Sequence, residues 1–217
     1  FHPGVQGIVA SRLIEKFGRP VIVLSPMNDP DMLTGSDRTI DSVHIRQAIE
    51  WVANQSEDVV ISFGGHKGAA GLKLIKNKLD TFAGLFEQAI AEQLEQDTEL
   101  RPVIWTDGEL MEEQLTFETI AELKRLEPFG REFESAVFEG DFLLQNSRII
   151  GNDGTHVMMQ LATENHTFRA VWFRALDKKT DALPFVEGQY IKAAYQLREN
   201  YYRGQFSLQL KIIHASL

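Results

Sequence analysis

The chain has 217 residues, enough for two domains that each bury a core. Its 43% hydrophobic and 24% charged residues are typical of a soluble globular protein, and no apolar run has the roughly 20 residues that a membrane-spanning helix needs. The formal net charge of −9 argues against a surface that is basic throughout. The absence of cysteine excludes disulfides and thiolate metal sites and favours a reducing, cytoplasmic location.

The first 97 residues alternate helical and strand patterns. Apolar residues at helical spacing precede Gly18, a residue type that commonly ends helices, and a short apolar run typical of a buried strand follows. In chain order the predicted elements are a helix at residues 4–17, a strand at 20–24, a helix at 44–53, strands at 59–63 and 72–75, and a long helix at 79–94. This order predicts an α/β domain over residues 1–97.

Residues 98–140 predict a connector, and residues 141–217 predict an all-β domain. The connector is acidic, because residues 107–139 hold ten acidic residues against three basic ones, and it contains one predicted helix at residues 117–126. Beyond the connector, the predicted strands lie at residues 142–150, 156–162, 168–174, 189–197 and 206–214, with turns at 151–154 and 202–204. Five strands with this spacing favour a small closed barrel of the OB type.

The glycine-rich segment Gly64–Gly71 is the first candidate binding site. Its four glycines and two alanines leave the backbone bare, so that main-chain N–H groups can approach an anion. A short helix that begins there would add its positive end, and His66 would supply one directed hydrogen-bond donor. The alternative is a tight turn in which the glycines only allow close packing and a nearby carbonyl satisfies His66.

The segment Gly35–Thr39 is the second candidate. If it is extended, Ser36 and Arg38 face the same side, because they are two positions apart. The planar guanidinium of Arg38 suits a phosphate, and the Ser36 hydroxyl would donate a further hydrogen bond. The alternative is a surface ion pair of Arg38 with Asp37 or Asp41, which would contribute little to stability.

Both candidate segments belong to a longer pattern. Its motifs are, in order, His2–Arg12, Phe17–Leu24, Gly35-Ser36-x-Arg38-Thr39 and Gly64-Gly65-His66-x-x-Ala69-Ala70-Gly71. In order and spacing they resemble the DHH-associated domain of RecJ-type single-strand-specific DNA exonucleases. Residues 126–130 are similar to the segment that introduces the OB domain of this family, and residues 197–210 resemble the closing hairpin of that domain. The resemblance covers nearly the whole chain, most strongly its first hundred residues.

The resemblance implies the C-terminal portion of an exodeoxyribonuclease of the DHH superfamily, which degrades single-stranded DNA from 5′ to 3′ in DNA repair and recombination. It implies that Ser36 and Arg38 help to bind phosphate at the 5′ end. Gly64, Gly65 and His66 would contact the DNA backbone near the scissile phosphate, with His66 in a supporting role. Cleavage with Mg²⁺ or Mn²⁺ would take place in a separate DHH domain, so we expect no catalytic residue, metal or cofactor in this chain.

The residues themselves show no two-metal centre of the kind that phosphodiester hydrolysis uses. The six histidines are scattered, and the closest useful acidic pair, Asp29 and Asp31, lies in a turn-rich segment where aspartate is favoured for turn formation alone. The chain begins at Phe1 without an initiator Met, which suggests a fragment of a longer protein. We therefore expect the fragment alone to be inactive.

Two positions depart from the family pattern. Asp37 stands where the family commonly has Gly, which would add a negative charge beside the proposed phosphate ligands. Residues 131–135 replace a stretch that usually contains Gly, Asn and Pro, and we expect this change to alter only the geometry of the connector.

The barrel region contains ten aromatic residues, and some of them are candidates to stack on bases. In OB barrels each stacked base contributes roughly 1 to 3 kcal/mol. We expect Tyr201, Tyr202 and Arg203, at a predicted hairpin tip, to be exposed contacts to single-stranded DNA. The alternative is that most of the rings belong to the core. Four arginines are further candidates for contacts to the DNA backbone, or else ordinary surface charges: Arg148, Arg169, Arg174 and Arg198.

Two alternative functions remain at this stage. Related phosphodiesterases of the superfamily act on short RNA oligomers or cyclic dinucleotides and share a similar Gly-Gly-His segment, although the predicted barrel argues against that substrate class. The second alternative is a non-catalytic interaction module, in which the acidic connector, with Glu109, Glu112 and Glu113, recruits a partner such as a single-strand-binding protein.

Overall fold

The computed structural model describes residues 2–95, 98, 100–130, 133–177 and 182–217. Arg131 and Glu132, which belong to the departing stretch of the connector, lie outside the described residues. The chain divides into two compact units, Phe1–Val103 and Ile104–Leu217. None of the helices in the described part of the chain is long and apolar enough to cross a membrane.

The first unit is a four-stranded sheet with three α-helices. Its elements are α1 (Gln6–Phe17), β1 (Val21–Pro26), β2 (Met32–Arg38), α2 (Ile45–Gln55), β3 (Val60–His66), β4 (Ala69–Ile75) and α3 (Leu79–Ala91), with 3-10 turns at Pro3–Val5 and Lys76–Lys78. The strand order is β1-β2-β4-β3, and all neighbouring strands are antiparallel. The mixed helix and sheet composition of the prediction is confirmed.

Local signals explain the ends of several helices in this unit. Gly18 adopts φ 60° in the left-handed region, and its N–H donates to the Ile14 carbonyl at 2.8 Å, so α1 ends where the sequence predicts. The side chain of His44 accepts a hydrogen bond from the Gln47 N–H and caps α2. The predicted long helix at residues 79–94 ends earlier, at Ala91.

The two faces of the sheet have different partners. On one face, α2 and α3 cover a hydrophobic core that includes Leu33, Ile49, Leu72 and Phe82, all buried. On the other face, α1 packs against β1 and β2. Because successive residues of a strand point to opposite faces, this division decides which side chains of β2 enter the core and which face α1.

The second unit is a closed five-stranded barrel with one α-helix. Its elements are α4 (Phe117–Lys124), β5 (Phe138–Ile150), β6 (His156–Ala162), β7 (Thr167–Trp172), β8 (Tyr190–Tyr202) and β9 (Gln205–Ser216), with a 3-10 turn at Glu112–Gln114. The barrel order is β5-β6-β7-β9-β8; β7 and β9 are parallel, and the other pairs are antiparallel. The structure therefore confirms the prediction of an OB-type barrel.

Alternating apolar residues of the five strands fill the barrel. Leu144, Met159, Ala170, Tyr195 and Leu210 are each at most 1% exposed. The rings of Phe142 and Tyr195 meet edge to face with centroids 5.5 Å apart. Burial of the Tyr195 phenol raises its pKa to about 12. Part of the aromatic content of this region is therefore core, in agreement with one of the two sequence-based interpretations.

Candidate nucleic-acid interface

Ser36 and Arg38 lie on one face of β2. This strand was not among the elements predicted from the sequence. The Ser36–Arg38 interpretation required an extended segment, and that requirement is met because Met32–Arg38 is a β-strand. The Arg38 Nη1 atom donates to the Ser36 Oγ at 3.3 Å and to the Asp37 main-chain oxygen at 2.7 Å. The guanidinium is thus held by neutral oxygens, and it forms no ion pair with any residue that the structure describes.

The first turn of α1 approaches this pair closely. Buried Gln6 anchors the helix, because its Nε2 donates to the Thr34 carbonyl of β2 at 2.8 Å. A Cβ atom on Gly7 would stand 2.8 Å from the Arg38 Nη2 and 3.3 Å from the Ser36 Oγ. A Cβ at this position would have to displace the end of the Arg38 side chain, so glycine lets the N-terminal end of α1, Ser36 and Arg38 lie close together. Such a combination suits an anion.

Strand register extends this arrangement across the sheet to His66. Arg38 pairs with Ala69 of β4, and Ala69 pairs with His66 of β3. Residues paired across strands point to the same face, so Arg38 and His66 share a face and stand two strand spacings apart, about 10 Å.

The residues between these two side chains are small. In the neighbouring row, Ser36 pairs with Gly71, and Gly71 pairs with Gly64. The two rows form a bare strip of sheet with a cation at one edge and an imidazole at the other. We call it the Arg38–His66 face; its members are Ser36, Arg38, Gly64, His66, Ala69 and Gly71.

His66 is exposed and oriented by the hairpin that joins β3 to β4. The Gly68 N–H donates to its Nδ1 at 3.3 Å, so the ring proton resides on Nε2, which is available as a donor. Gly65 adopts φ 144°, and a Cβ there would lie 2.4 Å from the Ala69 carbonyl oxygen. A Cβ on Gly64 would have no neighbouring atom within 4 Å, so a substitution there meets open space.

No helix begins at the Gly-Gly-His segment, so the helix end that the sequence left open there is not formed. Gly64, Gly65 and His66 end β3, and residues 67–68 form the turn into β4. The main-chain groups of this segment are shared with Ala69, Ala70 and Gly71 across the hairpin. The bare backbone therefore lies on an edge strand of the sheet, and the nearby positive helix end is that of α1.

Asp37 does not lie beside the phosphate ligands, contrary to the expectation from sequence. Its side chain points to the opposite face of β2, between Ile22 and Ala70 in the register, and is 0% exposed. Neither carboxylate oxygen has a hydrogen-bond partner among the described residues. Burial raises the pKa of Asp37 to about 8, against a smaller opposing effect of the Arg38 charge. The carboxyl is therefore largely neutral at pH 7 and does not cancel the charge of Arg38.

Tyr201, Tyr202 and Arg203 lie at the end of the β8–β9 hairpin, where the sequence predicts a turn. Tyr201 and Tyr202 are 64% and 58% exposed, and the Arg203 guanidinium lies over the Tyr202 ring, 5.2 Å from its centroid. Phe206, which the sequence-based site did not include, is 66% exposed and pairs with Tyr201 at a centroid distance of 4.8 Å. Its position directly opposite Tyr201 depends on the hairpin register, which the two-residue turn at residues 203–204 sets.

The residues that the structure describes do not form a metal centre. Among the described residues, no three His, Asp or Glu side chains come together in a way that would hold an ion. The closest acid–imidazole contact, between Glu112 and His166, instead ties the 3-10 turn at Glu112–Gln114 to the β6–β7 hairpin, where Glu112 also accepts from the Asn165 N–H at 3.2 Å. No chemical step is therefore assigned to a metal in this chain.

Comparison with known proteins identifies both units. Residues 1–92 match the DHHA1 domain, and residues 106–214 match the RecJ OB domain. The chain therefore combines a DHH-associated α/β domain with an OB barrel. It belongs to the RecJ family and matches the C-terminal part of its members.

Curated relatives agree with this assignment. The chain is 35% identical over 214 residues to the single-stranded-DNA-specific exonuclease RecJ of Dickeya dadantii, and the match covers 99% of this chain and 36% of that protein. It is 33% identical to the RecJ of Escherichia coli, with 98% of this chain and 36% of that protein covered. The chain thus spans about a third of the length of these relatives.

Solved structures support the fold. The structure of RecJ in complex with Mn²⁺ from Thermus thermophilus superposes with a TM-score of 0.72 at 24% sequence identity, covering 100% of this chain and 29% of that one. The Mg²⁺ complex of the same protein gives a TM-score of 0.71 at 23% identity.

Proposed function

We propose that this chain is the substrate-binding part of a single-strand-specific DNA exonuclease that degrades DNA from 5′ to 3′ in repair and recombination. The observation that supports the proposal most strongly is the Arg38–His66 face, where an unpaired guanidinium, a hydroxyl and an oriented imidazole share one side of the sheet. Membership of the RecJ family supports single-stranded DNA as the substrate class. Cleavage, with Mg²⁺ or Mn²⁺, belongs in this proposal to a DHH domain outside residues 1–217.

In the proposed arrangement each side chain has a separate task. Arg38 and Ser36, beside the first turn of α1, hold the phosphate at the 5′ end. His66 donates from Nε2 to a second phosphate of the DNA backbone, near the bond that is cut. This second contact lies about 10 Å from the contact at Arg38. The bare strip formed by Gly64, Ala69 and Gly71 lets the nucleotide lie close to the sheet between the two contacts. The barrel binds the strand farther from its end, with Tyr201, Tyr202 and Arg203 as exposed contacts.

The test is turnover in the complete enzyme, of which this chain would be a part. Arg38→Ala and His66→Ala should each lower the turnover of single-stranded DNA by at least tenfold, which corresponds to about 1.4 kcal/mol of transition-state stabilisation. Arg12→Ala is the matched control, because Arg12 is an exposed arginine of the same unit that pairs with Glu15 at 2.7 Å. The 217-residue chain alone should show no nuclease activity. Near-normal turnover in both variants, or metal-dependent cleavage by the chain alone, would refute these roles.

The closed barrel favours a long single strand over the short RNA oligomers or cyclic dinucleotides of related phosphodiesterases. A dinucleotide is too short to use a second binding unit, whereas a longer strand can use one. A comparison of the complete enzyme on the two substrate types tests this point, and a strong dinucleotide preference would favour the alternative.

A single-strand-binding protein remains a proposed partner, through the exposed Glu109 and Glu113 of the acidic connector. Glu112 is a weaker candidate for that contact, because it is engaged by His166 and its side chain is only 13% exposed. Loss of the partner when Glu109 and Glu113 are changed to Gln would support the proposal, and full retention would count against it.

A further inference from the structure

A buried carboxyl lies directly behind the Arg38–His66 face. Asp37 is the one acidic residue of β2, and it stands between Ser36 and Arg38 in sequence. Its side chain points to the opposite side of the sheet and is 0% exposed, and neither carboxylate oxygen has a hydrogen-bond partner among the described residues. The proposed function gives this carboxyl no task, although it is the acid closest in sequence to the proposed phosphate ligands.

The side of the sheet that Asp37 faces is apolar. The cross-strand neighbours of Asp37 are Ile22 of β1 and Ala70 of β4. The Thr39 hydroxyl, the other buried oxygen without a partner, is neutral. The two helices that cover this side turn apolar residues toward it: Ile45, Ala48, Ile49 and Val52 on α2, and Phe82, Ala89 and Ile90 on α3.

The titratable residues of these elements lie elsewhere. Lys73 of β4 pairs with Thr34, so it belongs to the side of the sheet where α1 packs. The others lie at the surface or at a helix end: Arg46 and Glu50 pair with each other at 3.7 Å, Asp80 and Glu87 are exposed, and His44 caps α2. Among the described residues, Arg38 is the one charged group that shifts the Asp37 pKa; its charge lowers that pKa, against the larger effect of burial.

Arg38 connects this carboxyl to the proposed phosphate site. Its Nη1 donates to the Asp37 main-chain oxygen at 2.7 Å and to the Ser36 Oγ at 3.3 Å. Residue 37 thus carries the carboxyl on one side of the sheet and helps to hold the cation on the other. An ionised Asp37 would compete with a bound phosphate for the same positive charge, and the two anions would repel each other. A protonated Asp37 leaves the whole charge of Arg38 to the phosphate.

We infer that Asp37 is a positioning residue that acts on the phosphate through Arg38, and that a 5′-phosphate binds there together with a proton on the Asp37 carboxyl. This inference rests on the proposed function and adds a regulation of its Ser36–Arg38 site. Linkage is reciprocal, so the bound phosphate keeps the carboxyl protonated, and ionisation of the carboxyl weakens phosphate binding. Burial raises the pKa of Asp37 to about 8, so the free chain loses this proton as pH rises through that value. Phosphate affinity should therefore fall over the same range.

The experiment measures how tightly the 217-residue chain binds an oligothymidylate with a 5′-phosphate and the same strand with a 5′-hydroxyl, at pH 7 and at pH 9. A phosphate monoester has its second pKa near 6, so it is almost fully ionised over this range. The ratio of the two affinities removes every effect of pH that the strands share. One added negative charge about 10 Å from the phosphate should weaken binding about fivefold when it is fully present. The ratio should therefore fall about threefold from pH 7 to pH 9.

Two variants separate this coupling from a role in stability alone. Asp37→Asn has nearly the same shape and never ionises, so its ratio should be the same at both pH values. Asp41→Asn removes an exposed acid nearby in sequence and should follow wild type. Isothermal titration in two buffers with different heats of ionisation gives a second readout. Near pH 8.4, wild type should take up about a third of a proton more than Asp37→Asn when it binds the phosphorylated strand.

Three outcomes overturn the inference, provided that circular dichroism shows folded chains at both pH values. The wild-type ratio does not change with pH; Asp37→Asn shows the same fall as wild type; or Asp41→Asn abolishes the fall. A ratio that pH leaves unchanged but Arg38→Ala abolishes would end the inference and leave the proposed function in place. Equal affinity for the two strands at both pH values, in wild type and in Asp37→Asn, would instead refute the phosphate-binding role of Ser36 and Arg38 itself.

Discussion

Asp37→Asn should stabilise the first unit, and the gain should grow with pH. The Asp37 carboxyl is 0% exposed, has no hydrogen-bond partner among the described residues, and has a pKa raised by burial from 3.8 to about 8. The folded state therefore holds a proton that the unfolded state releases between these two values. Since the unfolded state binds fewer protons in this window, stability falls as pH rises through it and levels off above about pH 8.

The size of the effect follows from 1.36 kcal/mol for each pKa unit. Relative to a residue that never ionises, Asp37 costs on the order of 2 kcal/mol at pH 5, 4 kcal/mol at pH 7 and 5 kcal/mol at pH 8. Asparagine has nearly the same shape and stays neutral. Its buried amide also lacks partners, which offsets part of the gain at every pH. The increase from pH 5 to pH 8 is therefore the quantity to compare.

Urea unfolding at pH 5, 7 and 8 measures this increase. Trp51, in α2, reports on the first unit when the other two tryptophans, Trp105 and Trp172, are changed to Phe. Asp41→Asn, at an exposed position close by in sequence, controls for the loss of one negative charge. If wild type and Asp37→Asn differ by the same free energy at all three pH values, the carboxyl is not held neutral in the core and the reasoning fails.

Two further predictions concern the hairpin of the first unit and the connector of the second. Gly65→Ala should destabilise the first unit by about 1 to 3 kcal/mol, because φ is 144° at Gly65 and the new Cβ would lie 2.4 Å from the Ala69 carbonyl oxygen. Gly64→Ala is the control and should destabilise the unit less, because its Cβ meets open space. Equal losses of unfolding free energy in urea for the two variants would contradict the hairpin geometry. The hydrogen bond from His166 lowers the pKa of Glu112 from 4.5 to about 2, so the stability that Glu112 contributes is present above about pH 4.5 and is lost as pH falls toward 2. The difference between wild type and Glu112→Gln in thermal unfolding should accordingly shrink between pH 5 and pH 3, and a constant difference would exclude this contact as its source.

Sequence periodicity predicted the elements in which local pattern and tertiary packing agree. The helix at Gln6–Phe17 has an apolar stripe and a glycine stop, and the barrel strands alternate apolar and polar residues, so local and global preferences coincide there. The strand Met32–Arg38 was harder to predict, because Gly35, Ser36 and Asp37 all favour turns. Pairing with β1 and β4 on its two sides overrides that preference.

The same limit applies to the candidate site. The residues Ser36, Arg38 and His66 were predicted one segment at a time, but their shared face depends on the strand order β2-β4-β3, which is not local in sequence. Successive side chains of a strand point to opposite faces, so Asp37 lies on the face opposite Ser36 and Arg38. The prediction that Asp37 lies beside these two residues was wrong because the strand had not been assigned from the sequence. The contact between Gly7 and Arg38 links residues far apart in sequence, and no local pattern signals it.

The most direct test of the central claim compares how this 217-residue chain binds two oligonucleotides that differ only in a 5′-phosphate or a 5′-hydroxyl. If Ser36, Arg38 and the start of α1 hold a terminal phosphate, the phosphorylated strand should bind at least about tenfold more tightly, or about 1.4 kcal/mol, and Arg38→Ala should abolish the preference. Equal affinity of the wild-type chain for the two strands would contradict the account.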